Sequence, residues 1–362
     1  MIYNAIGIMS GSSLDGIDIV FAELYEKAGK WNYEILESAC IPYNKEWEQK
    51  LRYADKMTAK DYLLLHTDYG DFTGQKINEF IDEKNLHHKV ALISSHGHTT
   101  FHLPEKKMTH QLGDGAAIAA KTELPVVTDL RSIDIAFGGQ GAPIVPLGEK
   151  LLFDGYNYFL NIGGIANISV NKENEIFAFD ICAANRILNM LANEIDMQYD
   201  DGGINASRGS IDEILLKKLN TLEYYRLPYP KSLSNSFGTD IVYPILKSFN
   251  LSIEDLLCTY SEHICIQIKN SLHAFRNEIT QKLFITGGGA FNNFLIERLQ
   301  KNLIEINFEI FIPSGEVIKY KEALIMALLG ILRWREQYTV LSSVTGAVRN
   351  TIGGALWMGT EA

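Results

Sequence analysis

GIMSGSSLDGIDIVF, residues 7–21, sets a turn of small, hydroxylated and acidic residues between two apolar runs. Residues 3–9 read as a strand, and Ile17, Ile19 and Phe21 alternate with Asp18, Val20 and Ala22 as a second. Between them, Gly11 lets the backbone adopt positive φ and lets another group approach closely. Successive N–H groups and the hydroxyls of Ser12 and Ser13 suit a phosphate. An ordinary hairpin with a polar tip accounts for Asp15-Gly16 equally well, because that pair is turn chemistry. A Walker-type loop is excluded, since no Gly-x-x-x-x-Gly-Lys-Ser/Thr run occurs in the chain.

Working outward, the same layout returns about 150 residues later. Residues 158–162 form a predicted strand, Gly163-Gly164 a turn, and residues 165–170 a second strand. Residues 176–179 form a third, ending at Asp180. Two glycine-tipped hairpins at this separation suggest two related lobes. A buried-strand pattern over 90–94 delivers SHGHTTFH, and another over 125–128 delivers DLRSID. Further on, KLFITGGGAFNNFL reads as a strand, a glycine turn and a helix start, an arrangement suited to anions or nucleotides. An apolar helix is predicted from Glu322 to Trp334.

The 362 residues allow about two domains. With 46% hydrophobic and 21% charged residues the composition is that of an ordinary globular chain. A net charge of −11 argues against nucleic acid or an anionic membrane as partner, but not against phosphate bound through backbone dipoles and a metal ion. The four cysteines, Cys40, Cys182, Cys258 and Cys265, show no paired spacing and are expected to be reduced and mostly buried. No basic segment precedes the first apolar run, and the longest apolar run is too short to span a bilayer, so a cytoplasmic protein is expected.

GIMSGSSLDGIDIV resembles the pattern G-x-M-S-G-T-S-x-D-G-x-D of the anhydro-N-acetylmuramic acid kinases. SHGHTTFH is similar to their S-H-G-Q-T segment, and TDLRSIDIAFGGQGAPIVP to their D-x-R-x-x-D-x-A-x-G-G-Q-G-A-P segment. NIGGIANIS, PKS followed by FG, GGGAFNNFL, Glu322-Ala323 and SSVTGA match in the same order, so the resemblance runs from residue 6 to about residue 347. It implies an α/β chain with the two-lobed actin/hexokinase-like (ribonuclease H-like) fold, its duplicated α/β domains flanking an ATP cleft. The first lobe is expected over 1–135, with the first phosphate loop and part of the sugar site. The second is expected over 136–344, and residues 345–362 are expected to pack back on the first.

By the same resemblance, ATP and water act together on 1,6-anhydro-N-acetylmuramic acid. Water adds at the anomeric carbon, the internal ring opens, and O6 takes the γ-phosphoryl group. The products are N-acetylmuramic acid 6-phosphate and ADP, and the context is recycling of cell-wall sugar. Gly11, Ser12, Ser13, Asp15, Gly16 and Asp18 would grip the nucleotide from the first lobe, and Gly163 and Gly164 would face the phosphates from the second. Gly287, Gly288, Gly289 and Asn292 would lie against the adenosine. Magnesium would accompany ATP, held through water by Asp15 or Asp18. The expected partners are ATP and a small amino sugar, and a homodimer is the implied assembly.

Asp180 stands where the family's catalytic Asp opens its D-T-G-P-G-N segment, which makes it the expected base; an N-cap carboxylate is the plainer reading. Thr99, Arg131 and Glu322 are the expected sugar contacts. Arg131 could pair with the lactyl carboxylate or merely form a surface ion pair. Glu322 could instead serve the helix dipole. His96, His98 and His102 admit a zinc reading, beside sugar contact and core packing. Some segments depart from the pattern. DICAAN lacks the loop's glycines and proline, and Asn189 replaces a second acid. Ser234-Asn235-Ser236 replaces Gly-Arg-Glu, and His98 replaces Gln. These changes favour two alternatives, a kinase for a different amino sugar and an ATP-binding homologue without catalysis.

Overall fold

In the computed structural model, which describes residues 1–11, 14–172, 175–229, 231–234 and 236–360, the apolar runs around the opening turn are strands β1 (Ile2–Ser10) and β2 (Gly16–Lys27). Ser12, Ser13 and Asn235 lie outside the described residues. β1 and β2 pair antiparallel, with Ile8 opposite Ile19 and Met9 opposite Asp18. Alternation puts Ile6, Ile8, Ile17, Ile19 and Phe21 into one core with Ile77, Phe80 and Ile93.

Two compact units divide the chain: Met1–Asp154 with Tyr320–Ala362, and Gly155–Lys319. Unit 1 adds β3 (Lys30–Pro42), β4 (Leu92–Leu103), β5 (Met108–Leu112) and β6 (Val126–Thr128) to the first hairpin. The C-terminal strand β12 (Ala355–Trp357) pairs antiparallel with β6. The sheet order is β12-β6-β4-β1-β2-β3, with β5 on β4. Unit 2 contains β7 (Tyr158–Ile162), β8 (Ile165–Lys172), β9 (Glu175–Ala183), β10 (Gln281–Thr286) and β11 (Phe308–Phe311), in the order β11-β10-β7-β8-β9.

The two sheets repeat one plan. In each, the first three strands form an antiparallel meander, and the first strand also pairs parallel with a later one. That strand in turn pairs parallel with the next in the order. This is a duplicated α/β arrangement, the ribonuclease H-like plan of the actin/hexokinase-like fold. Among the described residues no helix is long and apolar enough to cross a membrane.

The division after Asp154 and Lys319 differs from boundaries at 135 and 344. Packing explains it. The helix Gly315–Trp334 lies on the unit 1 sheet at glycines: a Cβ on Gly7 would come 1.9 Å from Ala323 O, and one on Gly330 2.4 Å from Ser94 Cβ. The helix Pro146–Leu152 joins the same core, since Gly148 packs on Ile325 and Glu149 bonds Lys321 at 2.5 Å, both side chains buried.

Candidate active site

In unit 1 the expected sugar residues come from three elements: Thr99 lies within β4 opposite Gln111 of β5, Arg131 follows β6, and Glu322 is on the helix Gly315–Trp334. Arg131 is held from two sides, Nε donating to His96 Nε2 at 2.8 Å and Nη1 to Gly141 O at 2.7 Å. His96 therefore accepts at Nε2 and donates from Nδ1 to Gly97 O at 2.9 Å. Burial, with the Arg131 charge beside it, holds His96 down at about 3, so it is neutral. Arg131 forms no surface ion pair among the described residues. Its guanidinium is lowered to about 10 by burial, which the Glu322 carboxylate opposes.

Asp134 supports the arginine from behind. Its buried carboxylate accepts from Gly141 N at 2.8 Å and Thr345 Oγ1 at 2.7 Å, which fixes the segment whose carbonyl Arg131 reaches. Glu322 is in the third turn of a helix that begins at Gly315, not at the helix start, so the dipole reading fails. Burial raises its carboxyl, while Lys321 and Arg131 pull it down. Thr99 is exposed and, with His98, Thr100 and Leu14, lines a recess of about 230 Å³.

The histidines do not form a metal site. Gly97, at φ +73, separates His96 from His98. His98 Nδ1 shares a hydrogen bond with Ser10 Oγ at 3.0 Å, and His102 Nδ1 one with Thr109 Oγ1 at 3.2 Å. Among the described residues no three His, Cys, Asp or Glu side chains are grouped to hold a metal.

Of the opening turn, Gly11 O accepts from Leu14 N at 3.5 Å, and Leu14 takes φ +60. Gly16 is needed by the sheet, because a Cβ there would come 2.4 Å from Ile41 O. Asp18 is half-buried on β2 and is raised to about 6, chiefly by burial. Its hydrogen bond with Cys40 opposes the rise, while Asp15 and Glu322 add to it. Cys40 is exposed, the other three cysteines are buried, and none of the four is in a disulfide.

In unit 2, Asp180 lies within β9, not at its end, and β9 continues to Ala183. Ala166 pairs with Cys182 but Asn167 with Asp180, so Ile181 is bulged out immediately after the carboxylate. Asp180 N donates to Lys231 O at 3.0 Å, and Asp180 Oδ2 accepts from Leu233 N at 2.8 Å. Tyr224 Oη donates to Asp180 O at 2.7 Å. The PKS segment thus lines the acid. Capping does not explain Asp180: the helix Asn185–Asn193 has Ala184 at its N-cap, and Gly163 O and Gly164 O accept from Asn185 N and Ala184 N. Burial raises the Asp180 carboxyl above its ordinary 3.8, and the Leu233 N–H pulls it partly back.

The altered residues of DICAAN face inward. Cys182, Ala183 and Ala184 are all buried in the unit 2 core, and Ala183 packs on Gly238. Their Cβ atoms take up core space, not the approach of a ligand.

The two glycine turns of unit 2 differ. Gly287, at φ +84, and Gly289 leave no room for a Cβ, which would meet Asn161 Oδ1 at 2.5 Å or Ile162 Cγ2 at 2.3 Å. Gly163, Gly164 and Gly288 have ordinary φ, and each would accept a Cβ at ordinary contact distance. Asn292 Oδ1 caps the helix Asn293–Ile304 by accepting from Leu295 N at 3.0 Å. Asn185, not expected as a site residue, donates from Nδ2 to Ile162 O at 2.9 Å and stands 3.4 Å from where a Gly288 Cβ would lie. It links both turns. Its place as the last residue of DICAAN was the available signal.

A sequence model of the family described as "Anhydro-N-acetylmuramic acid kinase" matches residues 3–359. The chain belongs to that family. The anhydro-N-acetylmuramic acid kinase of Haemophilus influenzae is 30% identical over 375 residues, 97% of each chain. That of Sulfurimonas denitrificans is 32% identical over 369 residues, 97% of this chain and 98% of the other. Among solved structures, the activator of the 2-hydroxyisocaproyl-CoA dehydratase from Clostridium difficile with bound ADPNP aligns at TM-score 0.45 and 14% identity, over 92% of this chain and 96% of that one. That likeness is too slight to add to what the two sheets show.

Proposed function

We propose that this member of the anhydro-N-acetylmuramic acid kinase family uses ATP and water to open 1,6-anhydro-N-acetylmuramic acid and phosphorylate O6, giving N-acetylmuramic acid 6-phosphate and ADP. The observation that carries the reading is Asp180: a half-exposed carboxylate at a β-bulge, held by one backbone N–H, with no capping role to explain it. Its raised affinity for protons suits a general base, which must take a proton from water and later release it.

Arg131, fixed through His96 and Gly141, keeps Nη2 without a partner among the described residues and would take the lactyl carboxylate. Thr99 and Glu322 would hold the sugar hydroxyls. Gly163, Gly164 and Gly288, which neither φ nor packing requires to be glycine, suit close approach of the nucleotide. Gly287, Gly289 and Asn292 would support the adenosine, and Gly11, Asp15, Gly16 and Asp18, with Ser12 and Ser13, the phosphates on the unit 1 side.

Asp15 and Asp18 are hard oxygen donors that fit magnesium held through water. When bound, the ion would offset phosphate charge. A cytoplasmic homodimer completes the reading.

The test mixes the purified chain with ATP, Mg²⁺ and the anhydro sugar, and follows the product by mass spectrometry. The expected product has gained both water and a phosphoryl group, and Asp180→Asn abolishes it. Nucleotide binding without product would instead favour a different sugar or a non-catalytic role.

A further inference from the structure

We infer that Arg186 is an anion-binding residue that takes the polyphosphate of the nucleotide at the β7–β8 hairpin. The inference rests on the proposed role of Gly163 and Gly164 and adds to it the cation that this hairpin needs.

Three observations meet at this side chain. Arg186 lies against the hairpin: its N–H points to Gly164 O at 3.4 Å, and a Cβ on Gly164 would lie 3.8 Å from both Arg186 Cβ and Arg186 Nε. The hairpin glycines are not required by their own φ, and a Cβ on either would meet its neighbours only at ordinary contact distance, so the fold itself does not demand glycine there. Finally, Arg186 Nε is buried without any hydrogen-bond partner, and no ion pair involves Arg186 among the described residues.

Three other partly buried arginines have partners. Arg298 pairs with Glu262 and Arg335 with Glu26, while Arg333 donates to Gly354 O. A buried donor left unpaired is costly, because it has given up its water without gaining a partner. The chain carries 44 acidic residues against 33 basic ones, so carboxylates abound, yet among the described residues none is paired with this arginine. An anion supplied from solution resolves the deficit. Two N–H groups on one planar edge match two oxygens of a phosphate. In a chain of net charge −11, a local cation is also what admits a polyanion.

The experiment is titration calorimetry of the full chain with Mg-ATP, ADP and AMP, for wild type, Arg186→Met, Arg186→Lys and Gly164→Val, with ligand-free melting of each. Arg186→Met is expected to weaken ATP about 10- to 100-fold and AMP less than about twofold. Ligand-free Tm should stay equal or rise, since an unpaired buried donor has gone, and Arg186→Lys should restore part of the affinity. A merely structural arginine would instead lower Tm and weaken all three nucleotides alike, which overturns the inference. Unchanged ATP affinity in Arg186→Met with weakened binding in Gly164→Val overturns the arginine's role and leaves the hairpin reading intact. If wild type binds no ATP, both fall together.

Discussion

The β1–β2 and β7–β8 hairpins open sheets of the same strand order and direction, yet their glycines serve opposite ends. At the first, Gly16 is consumed by the fold, because the Ile41 carbonyl of β3 occupies the place of a side chain. At the second, a Cβ on Gly163 or Gly164 would meet its neighbours only at ordinary contact distance. The charges differ as well. The first hairpin carries Asp15 and Asp18; the second has the unpaired Arg186 alongside. The acids even change strand: Asp18 stands on the middle strand of its meander opposite Cys40, whereas Asp180 stands on the third strand opposite Asn167. A repeated frame decides where turns fall. The residues at each turn decide what it can hold.

The largest expected effect tests the acid of the third strand. Asp180→Asn keeps the acceptor for the Leu233 N–H but removes the base, so product formation should fall about 10³-fold while ATP affinity stays within about twofold. Turnover within about tenfold of wild type would remove Asp180 from the chemistry. The same residue predicts an acid limb in the rate profile lying above an ordinary carboxylate's, because burial raises its proton affinity.

Next comes the pair of glycines. Gly164→Val should weaken ATP about tenfold or more with little change in melting, since a Cβ there meets only the Arg186 side chain, and at ordinary contact distance. Gly16→Ala should do the reverse, costing about 1–3 kcal/mol of stability as β2 and β3 are forced apart. If both variants lowered stability equally, the contrast between the hairpins would fail.

Much of this frame was legible from sequence. The alternation around Gly7–Phe21 and its echo after residue 158 gave both hairpins, because antiparallel strands with one core face carry a period of two. Lengths were harder. β4 runs on through SHGHTTFHL because β5 supplies hydrogen bonds to it, a tertiary fact that a polar stretch does not advertise. The helix bearing Glu322 starts earlier, at Gly315; its first two turns carry Glu316, Lys319 and Lys321 and lack the continuous apolar run that marks the rest. Asp180 was legible as an acid at a strand, but not the bulge that turns it. The altered residues of DICAAN stood out only as departures from the family pattern, and their place in the core shows only in three dimensions. Arg186 looked like any arginine at a helix start. Its missing partner exists only in three dimensions.

The smallest effect is a pH dependence that separates the two acids. Asp18 is raised to about 6, first by burial and then by the nearby acids, against an ordinary 3.8. A carboxyl raised in the folded state favours folding while protonated, so this contribution is complete below 3.8 and is lost as pH rises through about 6. The full shift corresponds to about 3 kcal/mol, and solvent around a half-exposed group reduces it to about 1–2 kcal/mol. Asp18→Asn should therefore match wild type near pH 4 and exceed it by that amount near pH 7.5, read from urea midpoints at each pH. Asp180→Asn should move the same way but less, because the Leu233 N–H already stabilises the charged form. Magnesium and ATP should erase the advantage of Asp18→Asn, since a bound cation favours the carboxylate that the variant lacks. An advantage that persists with both bound would detach Asp18 from the metal and leave the carboxylates of the first hairpin without a ligand to answer to.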